Sequence, residues 1–388
     1  MRQPILPEPP EELKSISRAL VSELRDELGS TGFMPFSRYM ERVLYEPGLG
    51  YYSAGSHKLG REGDFVTAPE LGNLFARCLA AQVEEIGARL GRYDLLELGA
   101  GTGRMAADLL NTLPAKSGLQ RYRILERSAD LRAVQQGLIA ARAPDWVGRV
   151  EWLDAPPVEP WRGLILANEV IDALAVERFR IGPDGIEQAG ISNAANGGGF
   201  AWCYRPAPTA LARAVQGLGM ALPPGYSSEV NLHLADWLAS VTASLTEGLA
   251  LFVDYGYPRA EYYLPERRDG TLVCHYRHHG HDDVFFWPGL QDITAFVDFT
   301  AVAEAGAACG LGLAGYCSQA MFLLGCGLDQ LLACSSEHPD LDTFALTTQA
   351  RHLTLPGMMG ERFQVMALAR GDPRELRGFA LQDLSHRL

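Results

Sequence analysis

From Glu11 to Leu28 apolar and polar positions follow the three-to-four-residue rhythm of an amphipathic helix, and Leu74 to Leu90 repeats it with alanine-rich spacing. Between them lies the aromatic, glycine-rich stretch FSRYMERVLYEPGLGYYSAG and then GREGDFVTAPELGNLF. In the latter, Thr67 stands at a helix N-cap position, Pro69 near the first turn and Glu70 at the positive end. From Tyr93 the pattern changes to short apolar runs separated by helical segments, the βαβ rhythm of a parallel sheet. It predicts strands near Tyr93 to Leu98, Tyr122 to Leu125, Val150 to Leu153, Leu164 to Ala167 and Leu249 to Val253. Helices near Met105 to Leu113, Ser128 to Ala143 and Leu232 to Leu245 fill the connections. Two stretches break the rhythm. Val176 to Tyr204, with Pro183-Asp184-Gly185, reads as inserted β-hairpins, and Glu261 to Phe299, rich in His, Arg, Pro and aromatics, as a long functional loop or small subdomain. Gln319 to Leu324 and Arg362 to Leu368 read as an antiparallel pair at the sheet edge. The expected organisation is a helical cap over residues 1–92 and an α/β core over 93–388, with insertions at about 176–230 and 257–299.

Hydrophobic residues make up 47% of the chain and charged residues 21%, ordinary values for a globular protein. The formal charge of −13, from 47 acidic and 34 basic residues, argues against a surface that tracks nucleic-acid phosphates. The seven cysteines are scattered without a Cys-x-x-Cys pair and read as reduced thiols. The opening MRQPILPEPPEEL carries Pro and Glu where a signal peptide needs an apolar segment. No charge-free apolar run approaches the roughly 18 residues a membrane helix needs. The expectation is a cytoplasmic protein without a membrane span.

The candidate chemistry begins at ELGAGTGRM, where Gly99, Gly101 and Gly103 follow a predicted strand and precede a helix. Such a turn lets a ligand approach the main chain at the carboxyl end of the sheet. A dinucleotide site calls for glycine or alanine at the sixth loop position, but Arg104 stands there. Glu97 would repel a pyrophosphate and suits an ammonium or sulfonium. Glu126, ending the next strand, stands where an acid can take both ribose hydroxyls. Together these describe a cationic, adenosine-bearing ligand without phosphate, S-adenosyl-L-methionine (SAM), with S-adenosyl-L-homocysteine as its product. The loop resembles that of class I methyltransferases, whose Rossmann-like fold has a mostly parallel seven-stranded sheet.

Further acids offer a site for the methyl acceptor. In LILANEVIDALAVERF, Asn168, Glu169 and Asp172 follow the fourth strand. If helical turning begins there, Glu169 and Asp172 share a face and can clamp a guanidinium; acids after a strand also serve as helix caps. Asp64 and Glu70, in GREGDFVTAPELG, can close over the ligand, and Glu229 in SSEVN is a third acidic candidate. His275, His278, His279 and His281 lack the spacing of a metal site, so no metal is expected and a polar substrate loop is the reading.

These motifs together resemble the MidA-like SAM-dependent methyltransferases, whose mitochondrial members act as complex I assembly factors. The resemblance runs from about Phe36 to Ala367 and is carried by FSRYMERVLYEPGLGYY, GDFVTAPELGNLF, LLELGAGTGRMAADLL, YRILERSADLR, ANEVIDALAVERF, LFVDYGY, GTLVCHYRHH, WPGLQDITAFVDF, QAMFLLGCG and MGERFQVMAL. It implies a methyltransferase core with a helical N-terminal cap and inserted substrate-binding elements, and an activity toward protein arginine. By position it implies that Glu97, Gly99, Gly101 and Glu126 hold SAM, that Glu169 and Asp172 lie beside the transferred methyl, and that Asp64, Thr67 and Glu70 line the same cleft. Ala100 replaces a common proline, Ala129 another, and Phe296 stands where His is common. A protein partner is expected, with a respiratory-complex subunit as the family's precedent and a homodimer left open. The rival readings are a small-molecule methyltransferase with the 261–299 region as lid, and a SAM-binding assembly factor without catalysis. A nicotinamide oxidoreductase is disfavoured by the glycine spacing.

Overall fold

The run Tyr93–Leu98 is buried along its whole length, as a strand covered on both faces must be. In the computed structural model, which describes residues 6–29, 31–53, 67–195, 198–336, 341–372 and 375–388, it is β1 of a mostly parallel sheet. The others are β2 (Leu119–Leu125), β3 (Val150–Leu153), β4 (Trp161–Asn168), β5 (Leu245–Tyr257), β6 (Gly312–Ser318) and β7 (Phe363–Arg370). They lie in the order β3-β2-β1-β4-β5-β7-β6, and Val297–Asp298 adds a short strand on β5. Only β7 runs against the rest, antiparallel to both β5 and β6. The register sets Glu97 beside Ile124 and Leu98 beside both Leu125 and Ala167. The strand order turns back between β1 and β4, the switch point at which open α/β sheets form a crevice beyond their carboxyl ends.

The described chain divides into two compact units, 66–171 with 235–258 and 297–388, and 1–65 with 172–234 and 259–296. The first holds this sheet. Its core joins Leu95, Leu164, Leu166, Leu251 and Val365 of the strands to Leu79 and Val83 of helix Leu74–Leu90 and to Leu109 and Leu110 of helix Arg104–Thr112. The cap expected over residues 1–92 is therefore divided. Leu74–Leu90 buries ten residues and leaves only a narrow stripe along Arg77, Glu84 and Ala88 less covered, so it is packed into the core of the sheet unit.

Two predicted elements change. Gln319 to Leu324, expected as an edge strand, is the start of helix Gln319–Gly325, whose first turn is capped by the Ser318 hydroxyl accepting the Met321 N–H. The edge strand is the preceding GLAGYCS, β6, whose glycines hide its strand character from propensity. Helix Leu234–Thr242 is shorter than expected because Leu245 already pairs with Trp161 in the sheet.

The second unit packs helices Glu11–Leu28 and Phe36–Tyr45 over an antiparallel five-stranded sheet. The first helix buries Ser17, Leu20, Leu24 and Leu28, one stripe of its surface. Pro183-Asp184 forms a two-residue hairpin turn between Glu177–Gly182 and Gly185–Asn193. A small three-stranded sheet holds Val273–Tyr276, His279–His281 and Asp292–Thr294.

Candidate functional site

At the carboxyl end of β1 the chain makes three left-handed steps, Gly99 at φ 64°, Gly101 at 54° and Gly103 at 83°, a conformation that favours glycine. The Gly103 N–H closes the turn on the Ala100 carbonyl at 2.7 Å, and helix Arg104–Thr112 begins at once. A Cβ on Gly99 would press Val170 at 3.1 Å, and one on Gly103 would press Gln135 at 3.1 Å. At Gly101 it would meet nothing within 4 Å, so main chain there lies open to a bound molecule.

Glu97 is 1% exposed, and the Tyr122 hydroxyl donates to its Oε2 at 2.7 Å. Burial pushes this carboxyl up to about 7, against the pull of the tyrosine hydrogen bond. An anion so poorly solvated is a strong partner for a cationic ligand. Glu126, just past β2, has its carboxylate oriented by the Ser128 N–H at 2.8 Å and by Gln135 Nε2 at 3.3 Å. Its carbonyl accepts from Arg132 Nε at 2.6 Å. Glu70, in the short helix Ala68–Leu71, accepts from the Thr102 hydroxyl and so ties that turn to the glycine loop. Thr67 occupies the N-cap position, but its side chain makes no capping hydrogen bond.

The segment after β4 differs from the helical turn expected there. Residues 169–172 form no helix; Glu169 takes a left-handed φ of 54° while its N–H still pairs with the Val253 carbonyl at 2.9 Å. Asn168 Nδ2 donates to Glu169 Oε1 at 3.0 Å. Asp254 stabilises the bend: its Oδ2 accepts the N–H groups of Val170 and Ile171 at 3.2 and 2.9 Å, and its Oδ1 that of Tyr255 at 2.9 Å. Two N–H donors of the bend on one carboxylate impose a chain direction that helical propensity at Glu169 cannot override.

The sheet unit thus gathers Glu70, Glu97, the three glycines, Glu126, Asn168 and Glu169. Asp172 and Glu229 belong to the other unit. The carbonyl of Asp172 accepts the Ala295 N–H at 3.0 Å, and its side chain is buried. The hydroxyl of Tyr52 is pushed up first by burial, then by the charge of Asp292, to which it donates at 3.0 Å. Glu229, also buried, is bound by Arg178 and by the Thr271 N–H at 2.8 Å, which gives it a structural task. His275 and His281 sit on paired strands of a hairpin whose turn residues, Arg277 and His278, both have positive φ. Among the described residues no group of three His, Cys, Asp or Glu is arranged to hold a metal ion. Asp64 lies outside the described residues.

Sequence reasoning missed Tyr122, Thr102, Gln135, Trp152 and Asp254. Only Asp254 carried a signal, since it ends the apolar run LALFV as Glu126 ends YRIL.

A sheet of this order with a left-handed glycine loop after its first strand and acids at the ends of the next strands is the architecture of SAM-dependent methyltransferases. Residues 74–317 match the S-adenosyl-L-methionine-dependent methyltransferase family, and the chain belongs to it. A Drosophila melanogaster relative, Protein arginine methyltransferase NDUFAF7 homolog, mitochondrial, is 28% identical over 402 residues, spanning 94% of this chain and 88% of that one. The Bos taurus Protein arginine methyltransferase NDUFAF7, mitochondrial, is 27% identical over 384 residues, spanning 88% and 81%. A crystal structure from Burkholderia thailandensis bound to S-adenosyl-homocysteine superposes with a TM-score of 0.92 at 42% identity, covering 99% of this chain and all of that one. A native structure from the same organism gives 0.90 at 42% with equal coverage. The protein is a SAM-dependent methyltransferase, and the open main chain at Gly101 with the buried acid Glu97 and the oriented acid Glu126 fits that cofactor.

Proposed function

We propose that this methyltransferase acts on the guanidinium of an arginine in a protein substrate. Glu97 faces the cationic amino-acid part of SAM in this reading, Glu126 takes the ribose hydroxyls, and Glu70 with Thr102 steadies the loop between them. The observation that carries the acceptor assignment is Glu169, a carboxylate bent into a left-handed turn whose next residue, Val170, packs on Gly99. The names of the relatives support the same acceptor.

Bound SAM supplies an electrophilic methyl group on a sulfonium. Glu169, steadied by Asn168, would pair with the guanidinium and aim one nitrogen at that methyl. The new N–C bond forms as the S–CH3 bond breaks, its electron pair staying on sulfur to leave S-adenosylhomocysteine, and one guanidinium proton is lost, which Glu169 takes in this reading and passes to solvent. A carboxylate suits this acceptor because it pairs with the cation before transfer and can then take the proton that transfer releases.

The test is transfer of labelled methyl from SAM into lysate of a strain lacking the gene, followed by analysis of hydrolysed protein. Methylarginine is expected with the wild-type protein and a loss of at least about a hundredfold with Glu169→Ala, while SAM affinity stays within about threefold. Label confined to small molecules, or to residues other than arginine, would overturn the assignment.

A further inference from the structure

We propose that Gln135 is a positioning residue for the nucleoside half of the cofactor site, held in one orientation by Trp152 so that it aims Glu126 at the ribose. This rests on the reading of Glu126 as the ribose-binding acid.

Gln135 lies on helix Ala129–Arg142 and is fully buried, where an amide must find partners. Its Nε2 donates to the Gly101 carbonyl at 2.9 Å and to Glu126 Oε2 at 3.3 Å. Its Oε1 accepts the indole N–H of Trp152 at 2.9 Å. Indole can only donate, so it can face only the amide oxygen, which leaves the NH2 to face Gly101 and Glu126. One neutral side chain thereby couples the glycine loop, the acid after β2 and a tryptophan on β3. Close packing enforces the arrangement, since a Cβ on Gly103 would lie 3.1 to 3.2 Å from Gln135 atoms.

The choice of an amide matters chemically. Arginine here would pair bidentately with Glu126 and occupy both of its oxygens. Gln135 takes one lone pair on Oε2, the Ser128 N–H takes one on Oε1, and each oxygen keeps capacity for a hydroxyl. The carboxylate keeps its charge, and its plane is set by donors on both sides. Freed of Gln135 it would rotate about its terminal torsion and meet two vicinal hydroxyls in fewer of its orientations.

A buried glutamine serving only the core would affect folding but not the recognition of ribose. The experiment is calorimetric titration of the full chain with S-adenosylhomocysteine and with its 2′-deoxy analogue. For the wild type, loss of the 2′-hydroxyl should weaken binding by about tenfold or more, as for hydrogen bonds to charged groups. Gln135→Leu should weaken S-adenosylhomocysteine by a similar factor and shrink the deoxy penalty to about threefold or less. Trp152→Phe keeps the ring and frees the amide to flip, so it should move both quantities the same way by a smaller amount. A folded Gln135→Leu with the wild-type penalty overturns the inference. If that variant does not fold, an unchanged penalty in Trp152→Phe does so. A wild type that binds both ligands equally overturns the ribose role of Glu126 instead, and the inference falls with it.

Discussion

Glu97 predicts a pH dependence of cofactor binding whose sign and size follow from its burial. The carboxyl is 1% exposed and pushed from an ordinary 4.5 up to about 7. A ligand carrying an ammonium and a sulfonium stabilises the ionised form, so binding expels the proton and affinity rises with pH until the free protein is already ionised. With a value near 7, half of the free protein is ionised at pH 7 and about one thirtieth at pH 5.5, so affinity for SAM should fall by about fifteenfold across that interval. The α-amino group of the ligand stays protonated throughout it. Calorimetry in buffers of different ionisation enthalpy would show proton release on binding. Glu97→Gln keeps the shape and an oxygen for the Tyr122 hydroxyl, so its binding should be weaker and flat with pH. Folding stability moves the other way. Because the folded state holds the proton more tightly than the unfolded chain, this group favours folding most below about pH 4.5 and loses that contribution as pH rises through about 7. The difference amounts to about 3 kcal/mol in order of magnitude. Glu97→Gln should therefore be the more stable protein at pH 8. Wild-type affinity independent of pH between 5.5 and 7, with no proton released, would refute the argument.

Two further substitutions probe the frame around the cofactor. Gly101→Ala puts a side chain at φ 54° into space with no protein atom within 4 Å, so it should lower stability by only about 1 kcal/mol while weakening S-adenosylhomocysteine at least about tenfold, read by thermal melting and calorimetry. Asp254→Ala strips the acceptor from three N–H groups and should lower stability by about 2 to 4 kcal/mol, read by denaturant unfolding; an effect below about half a kcal/mol would show that the bend after β4 is set by other contacts.

What was legible in the chain divides by the range of the interaction that decides it. The glycine loop, Glu97 and Glu126 are a turn chemistry and acids at strand ends, legible within one strand–turn–helix–strand unit. Gln135 bonds to Gly101 across 34 positions, Trp152 to Gln135 across 17 and Asp254 to Val170 across 84, so only the strand order brings them together. The apolar run after Ser318 fits a strand and a helix equally well, and a single hydroxyl cap together with the packing of Phe322 and Leu323 decides for the helix. The cap boundary failed for a related reason. Helical rhythm identifies Leu74–Leu90 but does not say which core its buried residues join.

Glu169 holds a left-handed backbone just past β4. A glutamate at positive φ costs on the order of 1 kcal/mol or more, and glycine or asparagine would have turned the chain there more easily. Asp254 offsets the cost with charge-assisted hydrogen bonds to the following N–H groups, and Asn168 adds one to the side chain. Asp254, a buried acid of β5, thus holds the backbone beyond β4 in the turn that carries the Glu169 carboxylate. Such strain is retained where the side chain's direction matters more than its contribution to stability. Glu169, rather than the buried and structurally engaged Glu229, is therefore the acid to test for acceptor chemistry.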